Sequence, residues 1–143
     1  MSLFPVPVTD LLPHAPPMLC LDALLAASPS GALASATLHP EHILLQNGIL
    51  DPIGFLELAA QTAGAMKGCL DKISGEKPRK GMLVAAQDFS FFGEAAEGET
   101  VHIAVAVTAE VMDIHIITAT VFRPGEPETP LARGKLKVFV RKR

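Results

Sequence analysis

The sequence predicts an α+β fold in which an antiparallel sheet of about six strands wraps one long helix. Three observations lead there. Ile53–Leu70 carries a single helical pattern that is apolar on nearly every side. Most of the chain beyond that helix either alternates with a period of two or is rich in β-branched residues. The 143-residue length, with 49% hydrophobic and 19% charged residues, suits one domain spanning 1–143 with a sizeable core. The same composition excludes a disordered chain, whose mark is low hydrophobicity with high net charge.

Taken in order, Met1–Pro17 is rich in proline and predicts an irregular N-terminal arm with at most one helical turn near Thr9–Leu12. Met18–Ala27 and Ala32–Leu38 flank Ser28-Pro29-Ser30-Gly31 and read as two strands joined by a turn, although their alanines are poor strand formers. Asp51 is a good N-cap, and Pro52 suits the first helical position, where its missing N–H costs nothing. The helix then runs through Phe55, Leu56, Leu58, Ala59, Ala60, Ala63, Ala65 and Met66, and Gly68 or Gly75 would end it. Lys80–Phe92 reads as extended. Val101, Ile103, Val105 and Val107 alternate with His102, Ala104 and Ala106. Ile114–Phe122 is β-branched and closes on Arg123-Pro124-Gly125, and Leu136, Val138 and Val140 alternate with charged positions in a half-exposed final strand. A helix apolar all round must be enclosed, so the sheet curls about it, which is the hot-dog arrangement.

Charge and cysteine usage narrow the setting. The formal net charge of −3 argues against a general nucleic-acid binder. Every apolar run is interrupted before about 18 residues, so no membrane span is expected. Met1–Pro17 lacks Lys and Arg, which argues against a secretory signal. Cys20 and Cys69 lie in apolar surroundings without zinc or redox spacing, which predicts buried, reduced thiols and a cytoplasmic setting. The hydrophobic excess points to a partner subunit covering part of the surface. Lys77, Arg79 and Lys80 cluster in one loop, and Lys135, Lys137, Arg141, Lys142 and Arg143 crowd the end of the sequence. Such clusters are either solvated faces or a landing patch for an acidic partner.

Glu57 is the only carboxylate between Asp51 and Asp71. A carboxylate in an apolar helix loses hydration unless it is paired, and such a group can hold or deliver a proton as a general acid. The alternative is a side chain reaching solvent at the helix edge. His39 and His42 fall in the loop Leu38–Leu50 ahead of the helix, His14 in the arm, and His102 and His115 in strands, where an outward or hydrogen-bonded imidazole is the ordinary reading. No histidine pair has metal-ligand spacing and no Cys/His cluster exists, so no metal is expected. A Gly-rich phosphate loop and a Gly-x-Ser-x-Gly elbow are both missing.

Leu11-Leu12-Pro13-His14-Ala15-Pro16-Pro17-Met18-Leu19-Cys20-Leu21-Asp22 resembles the opening of the FabZ-type 3-hydroxyacyl-acyl carrier protein dehydratases, and Glu57-Leu58-Ala59-Ala60-Gln61 resembles their Glu-to-Gln segment on the central helix. The strand pattern from Gly81 to Val140 also fits the family's second half. The histidine loop departs from the pattern. Where the family carries Gly-His-Phe-Pro-Gly-x-Pro, this chain has Pro40-Glu41-His42-Ile43-Leu44-Leu45-Gln46-Asn47-Gly48, with His42 fifteen residues before Glu57 (57 − 42 = 15) instead of fourteen. Asp51-Pro52-Ile53-Gly54 replaces the family's Pro-Gly at the helix start. This divergent form is similar to the dehydratase-like proteins encoded with aryl-polyene and related lipid pathways.

The resemblance implies dehydration of a 3-hydroxyacyl thioester to the trans-2-enoyl thioester. The substrate would be carried on the phosphopantetheine of acyl carrier protein, with no cofactor of the enzyme's own. It implies a homodimer in which histidine and glutamate face each other across the subunit contact. His42 is then the expected base, with His39 as fallback, and Glu57 the acid. The backbone N–H of Ile53 or Gly54 would meet the charge on the thioester oxygen. Gln61, one turn after Glu57, would orient it or a water, or else be a plain interface amide. Phe89 and Phe91, in a row with Phe92 that otherwise reads as core, would line the acyl channel, and Lys77, Arg79 and Lys80 would receive the carrier protein. Two other readings stand beside this one: a hot-dog thioesterase using Glu57 to activate water, and a non-catalytic accessory subunit that binds acyl chains.

Overall fold

The computed structural model describes residues 4–7, 20–76 and 81–140. The turn expected near Thr9–Leu12 and the basic loop Lys77–Lys80 lie outside the described residues. In chain order the elements are β1 (Val6–Pro7), β2 (Ala23–Ser28), β3 (Gly31–Thr37), β4 (Leu45–Gln46), β5 (Ile49–Leu50), α1 (Pro52–Ile73), β6 (Gly81–Phe91), β7 (Thr100–Val111), β8 (Ile114–Phe122) and β9 (Ala132–Val140). Seven strands form one antiparallel sheet in the order β1-β2-β3-β7-β8-β9-β6, and β4 and β5 pair in a separate hairpin. The sheet packs around α1, the hot-dog layout expected from the sequence.

The strand number is larger than the expected six. The additional three are two residues long, too short for a period of two to register. Pro7 reads as a breaker, yet β1 lies at the edge of the sheet, where a proline is tolerated. The β4–β5 hairpin turns on Asn47-Gly48, with φ of 53° and 77°, the left-handed pair that a two-residue hairpin turn demands.

Helix α1 begins as expected. The Asp51 side chain accepts the Ile53 N–H at 2.9 Å, and Pro52 occupies the first turn. The helix ends at Ser74 and Gly75, whereas Gly68 is buried inside it. Phe55, Leu58, Ala59, Ala63, Ala65 and Met66 are all at most 2% exposed. They face inward positions of the sheet, including Ala34 and Ala36 of β3, Val101 and Ile103 of β7, Ile117 and Ala119 of β8, and Leu136 of β9. The alanines of β3 form a strand despite their propensity, since β3 bonds to β2 and β7 along nearly its whole length. Arg133 and Lys135 face outward between the buried Ala132, Gly134 and Leu136. Gly134 is required by packing: a Cβ there would fall within the Phe89 ring, which a bulge between Gln87 and Ser90 turns onto the inner face.

Two features place the site. The loop carrying His39 and His42 is pinned by backbone bonds to residues 95–99: Leu38 N–H to Glu99 O, Leu50 N–H to Ala95 O, Glu97 N–H to Gly48 O and Gly98 N–H to Leu38 O, each 2.7–2.8 Å. At the far edge of the sheet, Met82, Leu83 and Val84 of β6 are 65%, 45% and 56% exposed. Among the described residues no helix is long and apolar enough to cross a membrane.

Candidate active site

Glu57 and Gln61 lie one turn apart on α1, so their side chains share a face. Gln61 Nε2 donates to Glu57 Oε1 at 2.9 Å, and Gln61 Oε1 accepts the backbone N–H of Cys20 at 2.9 Å. The second contact fixes the first. A backbone N–H can only donate, so the amide oxygen must face Cys20 and the amide nitrogen must face the carboxyl. Gln61 is 2% exposed, while Glu57 is half-buried. The carboxyl therefore has one oxygen held as an acceptor and remains partly open on the other side.

Cys20 joins this pair to His42. Its carbonyl lies 3.0 Å from His42 Nε2, and His42 Nδ1 accepts the Leu44 N–H at 3.3 Å. A carbonyl only accepts, so Nε2 carries the ring proton. The structure thus brings His42, Cys20, Gln61 and Glu57 into one hydrogen-bonded chain within a single protomer. Burial pushes the Cys20 thiol up to about 11, helped by the nearby Glu57 carboxylate and opposed by a hydrogen bond with Gln61. Cys20 accordingly stays a neutral thiol at physiological pH.

The expected oxyanion donors are occupied. Ile53 N–H is bonded to Asp51 Oδ1 at 2.9 Å and Gly54 N–H to Asp51 O at 2.7 Å. Gly54 is also tightly seated, since a Cβ there would stand 2.7 Å from Leu50 Cδ1. His39 is exposed, outside the chain of bonds just described. Phe91 packs against Phe55 of α1 with centroids 6.1 Å apart, and Phe89 stacks on Phe91 at 6.3 Å. This aromatic row is where the helix start meets the end of β6. Lys77, Arg79 and Lys80 fall outside the described residues.

Sequence reasoning missed Cys20 as a junction. It read the residue only as a buried thiol, and what matters is its main chain, which no residue type announces. The β4–β5 hairpin was also missed, although Asn47-Gly48 is an ordinary hairpin-turn signal.

A family model described as ApeP dehydratase matches residues 6–143. Among solved structures, the chain is similar to the dehydratase heterocomplex ApeI:P from Xenorhabdus doucetiae, with TM-score 0.84, 22% identity, and coverage of 96% of this chain and 93% of that one. It is also similar to a hypothetical thioesterase from Streptococcus pneumoniae solved with coenzyme A (TM-score 0.65, 9% identity, 84% and 85% covered). Zebra fish thioesterase superfamily member 2 matches with TM-score 0.63 and 15% identity over 83% and 80% of the two chains. At these identities the structural matches establish the hot-dog fold. No curated protein matches the chain.

Proposed function

The chain belongs to the ApeP dehydratase family, and on that premise we propose that it acts on 3-hydroxyacyl thioesters of acyl carrier protein, with Glu57 as the group that protonates the departing hydroxyl. The bond from Gln61 to Glu57 carries this reading. With Oε1 committed to Gln61, a proton on the carboxyl sits on the other oxygen, the orientation a general acid needs. Loss of water also needs a base at C2, and a group facing Glu57 from a second subunit completes the pair. The acyl chain runs along Phe89 and Phe91 beside Phe55, an apolar row that suits it. The carrier's phosphopantetheine brings the thioester, so the protein needs no cofactor of its own.

The exposed Met82, Leu83 and Val84 on edge strand β6 support a second hot-dog subunit as neighbour. The similarity to a heterocomplex supports a partner subunit, identical or related. The basic loop Lys77–Lys80 is the proposed landing site of the acidic carrier protein, in a cytoplasmic pathway to polyene-type acyl chains. Incubation with a 3-hydroxyacyl carrier thioester, with and without a partner subunit, tests the reading. The enoyl thioester is the expected product. Free acid would move the chain to the thioesterases, and no turnover in any assembly would leave an acyl-binding accessory subunit.

A further inference from the structure

The family resemblance makes His42, in the loop ahead of α1, the expected base, yet both of its ring nitrogens are engaged by its own chain. Neutral imidazole has one lone pair. Because the Cys20 carbonyl claims the Nε2–H at 3.0 Å, the lone pair sits on Nδ1, and there it faces the Leu44 N–H at 3.3 Å. Accepting a substrate proton at Nδ1 would set two N–H groups against each other. Turning the ring would abandon both bonds, and the loop that carries it is fastened to residues 95–99 by four backbone bonds. The Cys20 residue that His42 holds by its carbonyl is held by Gln61 through its N–H, and Gln61 in turn holds Glu57.

We propose that His42 is a positioning residue: it anchors the Cys20 main chain, which with Gln61 sets the orientation of the Glu57 carboxyl, and the proton at C2 is taken by a basic side chain of the second subunit that faces Glu57. This rests on the dehydratase reading and replaces the role that the sequence suggested for His42. It also accounts for the altered histidine loop. A loop that only has to present a donor to a carbonyl does not need the proline and glycine geometry that aims an imidazole at substrate.

The test uses the chain in its active assembly and compares His42→Gln, His42→Ala and Glu57→Gln. Glutamine keeps an N–H donor within reach of the Cys20 carbonyl but cannot act as a base. His42→Gln should retain kcat within about threefold with the acidic limb of the pH profile in place. His42→Ala should lose about tenfold or more in kcat, and Glu57→Gln at least about a hundredfold, the scale of a general acid. A His42→Gln variant as inactive as Glu57→Gln, with that limb gone, overturns the proposal. Nitrogen-15 NMR of His42 provides a readout independent of turnover. The Nε2–H tautomer with a slowly exchanging proton supports the anchoring role, and the Nδ1–H tautomer or a rapidly exchanging ring overturns it. If wild-type protein fails to dehydrate while the tautomer is as expected, the dehydratase reading fails and the anchoring role stands.

Discussion

The two ends of the sheet around α1 differ in what they leave undone. Beside β2 the chain joins four residues, His42, Cys20, Gln61 and Glu57, in hydrogen bonds of 2.9–3.0 Å. At β6 it leaves a run of large apolar side chains in water, Met82 to Val84, on a strand that among the described residues pairs with β9 alone. The first end is polar and internally complete, which is the condition for fixing one carboxyl in one orientation. The second is apolar and incomplete, which is the condition for accepting another chain. Changes at the β2 end should therefore alter catalysis or local order without altering assembly. Changes at the β6 edge should disrupt assembly, and turnover with it, while leaving the hydrogen bonds of the β2 end in place.

The largest separation is expected from Glu57→Gln. The amide still accepts from Gln61, so packing is kept, while the acid is lost. Dehydration should fall by about two to four orders of magnitude with little change in melting temperature. A fall of less than tenfold would mean that the β2 end is architecture alone. Gln61→Leu comes next, because it strips the partner from a buried Cys20 N–H. Leaving such a donor unsatisfied costs about 1–3 kcal/mol. Chemical denaturation should show that loss together with a lowered kcat, and an unchanged stability would refute the inward-facing amide.

Much of this contrast was readable from residue order, and the unreadable part has a common cause. The buried helix was visible in its all-round apolar pattern, and Glu57 and Gln61 are four apart, a spacing that puts them on one helix face. The strands β7, β8 and β9 alternate or branch as strands do. The roles of Cys20 and Leu44 were not visible, because they act through backbone N–H and C=O groups that nearly every residue owns. The state of His42 followed the same rule: the family resemblance made it the expected base, and only the position of the Cys20 carbonyl shows which nitrogen holds the proton. The exposed β6 edge was implied by the hydrophobic excess but not located by it, since Met82, Leu83 and Val84 are consecutive and carry no alternation to separate an outer face.

Val84→Lys addresses that edge. The side chain is 56% exposed in the free chain, so folding stability should change by no more than about 0.5 kcal/mol. A charge on an open strand edge opposes edge-to-edge pairing. Sedimentation should therefore show loss of the assembly with a folded protomer remaining. An intact assembly would place the subunit contact elsewhere.

The smallest expected effect lies between the two ends, at Arg123 and Glu99. Arg123 Nε reaches Glu99 Oε2 at 2.6 Å, and its Nη2 reaches the Glu94 carbonyl at 2.8 Å. Glu99 also accepts the Ala96 N–H at 2.9 Å, so the pair braces the segment to which the His42 loop is tied. The Arg123 hydrogen bond, then that of Ala96, holds the Glu99 carboxyl below its usual range. A carboxyl lowered by folding contributes stability above its unfolded pKa, and loses it as pH falls through the lowered value. Both side chains are about a third exposed, so solvent and salt screen the pair, and Arg123→Ala should cost less than about 1 kcal/mol at neutral pH. That difference should shrink toward zero in acid, where wild-type Glu99 takes up its proton. A cost that persisted unchanged at low pH would assign the effect of Arg123 to its bond with the Glu94 carbonyl and its packing. The brace would then not depend on the charge of Glu99.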